Sequence, residues 1–133
     1  MNPSYTVTVV GTQRGQGTPD RQSFTVPCTF SERNGVYYLV YTEESGTRIM
    51  LKAEPTRVVM LRGNTRMLFH TARPEPCEYI TEAGILSLEI HTERVSVHLG
   101  KSGGEIRLHY TIYYSGTPLS QNEILVTLRR LEN

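Results

Sequence analysis

VYYLVYTEESGTRIMLKAEPTRVVMLRGNTRMLFH, residues 36–70, is the stretch whose reading decides the fold. Apolar and polar residues alternate along it, and Ser45-Gly46, Pro55-Thr56 and Gly63-Asn64 break the alternation with pairs suited to two-residue hairpin connections. The stretch therefore reads as four short antiparallel strands. With those pairs as turns, Glu43 falls opposite Arg48, Thr42 opposite Ile49 and Val40 opposite Leu51. Across the next hairpin Ala53 meets Val58, Leu51 meets Met60 and Ile49 meets Arg62; across the third, Arg62 meets Thr65, Met60 meets Met67 and Val58 meets Phe69. This register predicts an inward face of Val36, Tyr38, Val40, Ile49, Leu51, Ala53, Val58, Met60, Met67 and Phe69. Its reverse carries Glu43, Arg48, Lys52, Glu54, Arg57, Arg66 and His70 for solvent, with Tyr37, Leu39, Tyr41, Met50, Val59, Leu61 and Leu68 among them. Side chains alternate from face to face, so a slip of one residue inverts a strand.

Working outward from this stretch, residues 4–10, SYTVTVV, form a strand with Tyr5, Val7 and Val9 on one side. The glycines and Pro19 of GTQRGQGTPDR predict a flexible loop, and QSFTVPCTFSER resumes the alternation, with Pro27 suited to an edge or bulge. Asn34-Gly35, a strong hairpin signal, leads into the central run. After His70 the prolines and acids predict a loop with at most a short strand near Tyr79. From Ile85 onward the period-two pattern gives four more strands, with Thr92-Glu93 as one of the turns. No segment has helical periodicity. About ten strands joined by short loops predict one all-β domain, residues 1–133, in which a single antiparallel meander closes into an up-and-down barrel. A two-layer sandwich is the competing closure.

A formal charge of +1 and 38% hydrophobic residues fit a single core and give no global pull toward nucleic acid, which is not expected as a partner. The basic residues from Arg48 to Arg73 read as a solvated face. The opening MNPSYTVTVV lacks the basic and apolar regions of a signal peptide, and no apolar run matches a membrane helix; the expectation is a cytoplasmic protein without a membrane partner. Cys28 and Cys77 suit neither a zinc site nor a redox pair by spacing and are expected as free thiols. No stretch matches a catalytic motif of known mechanics, so no enzyme activity, catalytic residue or cofactor is expected. His91, His98 and His109 fall on polar strand faces, but with His98 opposite Glu105 and distant from His91 they read as cross-strand pairs rather than a metal site.

The segments YLVYTEE, GTRIMLKAEPTRVVMLRGNTRMLF, EYITEAGILSLEIHTERVSV and GGEIRLHYTIYYSG, in that order between Val36 and Leu128, resemble the YwiB-like family of small bacterial proteins. The more specific pieces are Arg62-Gly63 followed by Phe69, and Tyr79, Thr81 and Gly84; the proline-rich 73–77 segment departs from the pattern. The resemblance implies a lipocalin-like, or calycin, barrel. The family's function is uncharacterised, so it supplies no catalytic residues.

Arg62 carries the functional expectation, because the register sets a guanidinium at one end of the apolar face, where an unpaired charge costs several kcal/mol. Carbonyls, water or an acid from the Glu75, Glu78 and Glu82 loop are the structural answers; an anionic ligand is the functional one. The leading reading is a binding barrel whose mouth, lined by Arg62, Tyr38, Thr42 and Thr65, accepts a small amphipathic or anionic molecule. The alternative is a protein-interaction module that forms a homodimer or meets a partner through the outer residues Tyr37, Leu39, Tyr41, Met50 and Leu61.

Overall fold

The structure, a computed structural model, describes residues 4–15 and 17–131. Residues 1–3 of the stretch read for a leader, Gln16 of the first loop, and residues 132–133 lie outside the described residues. Ten strands follow in order: β1 (Ser4–Arg14), β2 (Asp20–Arg33), β3 (Val36–Thr42), β4 (Arg48–Glu54), β5 (Arg57–Arg62), β6 (Thr65–Phe69), β7 (Glu75–Thr81), β8 (Gly84–Gly100), β9 (Gly103–Tyr114) and β10 (Thr117–Leu131). Each pairs antiparallel with its chain neighbour except β6 with β7, and β1 also pairs with β10. The meander thus curls into a nearly closed up-and-down barrel, open only where β6 and β7 face each other.

Turn chemistry explains most of the register. Asn34 and Gly35 both take positive φ, 54° and 81°, which matches the right-handed twist of the flanking strands and sets Arg33 opposite Val36. Pro55-Thr56 and Gly63-Asn64 are two-residue connections as expected, so Ile49 pairs with Arg62, and Arg62 with Thr65. The Ser45-Gly46 reading is corrected. Glu43 donates its N–H to the Thr47 carbonyl at 2.9 Å, Gly46 donates to the Glu43 carbonyl at 2.8 Å, and Gly46 sits at φ 91°. That is a three-residue loop closed by a left-handed glycine. The extra residue moves Thr42 opposite Arg48 and Tyr41 opposite Ile49, and turns all of β3 over. Leu39 and Tyr41 face the core, 0% and 5% exposed, while Tyr38 and Val40 face outward.

The other corrections concern lengths. β1 and β2 remain paired up to Gln13 and Asp20, so the expected long loop is mostly strand. Glu75–Thr81 is a full strand, held at its start by His70 Nε2 and Arg73 Nε on Glu75 Oε1 at 2.6 and 3.2 Å. Thr92-Glu93 is not a turn: β8 runs straight through, and Glu93 is the extra residue of a β-bulge that puts Thr92 opposite Tyr110 and Arg94 opposite His109. One strand fewer after residue 84 offsets the strand gained at β7.

β2 decides how the barrel is filled. Its residues Asp20–Cys28 pair with β1, and Thr29–Arg33 pair with β3. Pro27, with no N–H to donate, stands beside this change of partner. Above Thr29 the strand has no partner on β3, which ends at Thr42. The lower end carries the β2–β3, β4–β5, β6–β7 and β8–β9 connections, and there Val7, Leu39, Leu51, Val58, Phe69, Ile106, Leu108 and Val126 are fully buried. Phe69 meets the Tyr110 ring at 4.7 Å, and the Tyr5 hydroxyl donates to the Lys101 carbonyl at 2.8 Å.

Candidate functional site

Above this packed half the barrel is hollow. The inward residues one or two steps further up each strand line a cavity of about 540 Å³ that opens at the upper end. That size suits a small-molecule site. Val9, Phe24, Met60, Leu88, Ile112 and Ile124 form its apolar wall; Gln13, Asp20, Gln22, Glu43, Arg62 and Thr65 lie toward the rim. Gly11 keeps the space open. It sits on the inner row between Gln22 and Ile124, and a Cβ added there meets nothing within 4 Å.

Arg62 and Thr65 stand opposite each other in the lining, as the register requires. Tyr38 and Thr42 are outside it: the inversion of β3 sends Tyr38 to the outer surface opposite Lys52, and Thr42 to an exposed position opposite Arg48. Tyr41 takes the place expected for them. The expectation of a buried Arg62 is corrected too. Its side chain is 46% exposed, and its Nε donates to Glu43 Oε1 at 2.7 Å, so its counter-ion comes from the β3–β4 loop and not from residues 75–82. At that exposure the pair is a rim contact, with the small energy of an exposed ion pair.

Two tyrosines complete the interior. Tyr41 and Tyr110 line the cavity, are 5% and 7% exposed, and have no hydrogen-bond partner for their hydroxyls among the described residues. The one fully sealed side-chain oxygen without a partner among those residues is Thr92 Oγ1, so both phenol oxygens keep access to open space. Burial pushes the Tyr110 phenol up to about 12, and burial, then Glu43, raises Tyr41 as well. Cys77 lines the cavity and Cys28 lies in the wall below it; both are buried free thiols, and burial raises them, Cys28 to about 11. A glycine at 46 two residues after the Glu43-Glu44 pair was the available signal for the loop that brings in Tyr41 and Glu43. The local signal for Tyr110 was the alternation Ile106, Leu108, Tyr110, Ile112, which puts it on the inner face of β9.

The outward positions form less of a contact face than expected. Tyr37, Leu39 and Tyr41 point inward, and on β3–β6 the outer apolar residues are Tyr38, Val40, Met50, Val59, Leu61 and Leu68, half-buried, with Val40, Met50 and Leu61 in one cross-strand row. The histidines stand apart: His91 Nε2 lies 2.6 Å from Glu89 Oε1, His109 Nδ1 3.9 Å from Glu123 Oε1, and His98 is opposite Glu105.

Comparison with known proteins agrees with this architecture. The model of a family described as a domain of unknown function, DUF1934, matches residues 7–126. The crystal structure of the ywiB protein from Bacillus subtilis superposes with a TM-score of 0.84 at 17% sequence identity, covering 98% of this chain and 93% of that one. No curated protein matches. No helix among the described residues is long and apolar enough to cross a membrane.

Proposed function

The chain belongs to the YwiB-like family described as DUF1934, whose function is unknown, and we propose that its barrel binds a small amphipathic molecule in the cavity of its upper half. One observation carries this reading. The same ten strands that pack side chain against side chain below leave about 540 Å³ unfilled above, walled by apolar residues and rimmed by polar ones. A barrel selected only for stability gains from filling such a space, since each missing contact weakens the core. The lipocalin-like character implied by the sequence resemblance belongs with this reading, because small barrels of that kind hold one small ligand inside.

Titration with the neutral fluorophore N-phenyl-1-naphthylamine tests it. Saturable, one-to-one uptake is expected, together with co-purified small molecules in native mass spectra of freshly prepared protein. A flat titration and a bare mass would refute the proposal. The second reading, self-association, rests on the Val40–Met50–Leu61 row. Here Met50→Lys should weaken any dimer seen by sedimentation while leaving the barrel folded.

A further inference from the structure

Resting on that binding reading, we infer that the ligand is an uncharged amphiphile carrying acceptor oxygen, that the Tyr41 and Tyr110 hydroxyls are the donors the cavity offers it, and that Glu43 disfavours carboxylates by pairing with Arg62. Two nearly buried phenols have no acceptor among the described residues, yet both face the open cavity. Each hydroxyl oxygen reaches the cavity, so its proton is available to an acceptor that enters there. Both phenols remain protonated far above neutral pH because burial holds them there. The ligand group they match is therefore an acceptor, such as a carbonyl, ester or ether oxygen.

Charge then selects among acceptors. Arg62 is the one basic residue in the lining among the described residues, and its Nε is already engaged by Glu43 at 2.7 Å. Asp20 and Glu123 add two more carboxylates to the lining. A ligand carboxylate would have to leave water, meet three acids, and compete with Glu43 for the one cation of the described lining. A neutral oxygen loses little solvation and meets two donors. Glu43 is in this sense a specificity-determining residue acting through Arg62. Its position depends on the three-residue β3–β4 loop, since Glu43 is bonded at its own N–H to Thr47.

A matched pair of ligands separates the outcomes. Methyl dodecanoate and dodecanoate are used to displace N-phenyl-1-naphthylamine from the wild type, Glu43→Gln, Tyr41→Phe, Tyr110→Phe and the double variant Glu43→Gln/Arg62→Met. Each protein is first checked for an unchanged circular dichroism spectrum. The wild type should prefer the ester by about tenfold or more, the factor associated with one charge-assisted contact. In Glu43→Gln the ester-to-carboxylate ratio should fall about threefold to fivefold as the Arg62 charge is released, and the double variant should lose that gain. Each Tyr→Phe change should cost the ester roughly fivefold. Equal binding of both ligands by the wild type, or a ratio that Glu43→Gln leaves unmoved, overturns the inference while the binding reading stands. A fluorophore that never enters overturns both.

Discussion

Replacing Gly11 with phenylalanine should fill the cavity from its own wall. Gly11 lies within β1, its inner side faces the hollow, and an added Cβ has no neighbour within 4 Å. The new ring would lie over Ile124, its cross-strand partner on β10, beside Gln22 on β2. Full burial of a phenylalanine is worth about 1.5–3 kcal/mol, and a ring left open to water on its upper side should gain roughly half of that, about 1 kcal/mol. Removing a glycine from a strand interior adds about 0.5–1 kcal/mol. The sum, about 1.5–2 kcal/mol, should raise Tm by roughly 5–8 °C in a chain of this size. Fluorophore affinity should fall at least about tenfold in the same protein, because the ring occupies ligand space. Thermal melts and the N-phenyl-1-naphthylamine titration read the two effects separately. A lowered Tm would refute the geometry at Gly11, and a raised Tm with unchanged uptake would show that the fluorophore binds elsewhere.

Three further outcomes test other parts of the structure. Arg62→Met should change unfolding free energy by no more than about 1 kcal/mol, since a half-exposed ion pair contributes little; a loss of several kcal/mol in urea melts would show a buried charge there after all. Glu75 titrates below the usual carboxylate range because His70, and then Arg73, hydrogen-bond its charged form. Its stabilising contribution is fully present above the unfolded-state value near 4.5 and is lost as pH falls through the lowered folded value, so a Glu75→Gln variant should show a shallower fall in stability below that point than the wild type; parallel acid profiles would contradict the clasp at the β6–β7 seam. Gly104→Ala should cost about 2 kcal/mol or more, because Gly104 sits at φ 139° and a Cβ there runs into the His98 carbonyl of β8; a near-neutral melt would place the β8–β9 pairing in error.

The all-β meander was legible in the residues themselves, because period-two alternation and the pairs Asn34-Gly35, Pro55-Thr56 and Gly63-Asn64 are local chemistry that fixes strands and turns without reference to anything distant. For the same reason β4, β5 and β6 appear in the expected register, and Arg62 and Thr65 at the expected rim. The errors were also local, though their effects were not. Adding one loop residue before Arg48 inverted β3, exchanged Tyr38 and Thr42 for Tyr41, and brought in Glu43; one bulge residue at Glu93 kept β8 whole where two strands were expected. A two-residue turn and a three-residue turn have nearly the same composition, and their relative energies depend on which side chains the resulting faces can bury. Only the closed barrel settled that, by giving Leu39 and Tyr41 a core to enter. The cavity has the same origin: Gly11, Tyr110 and Arg62 are distant in the chain, and only the closing of the strands into a barrel brings them around one space.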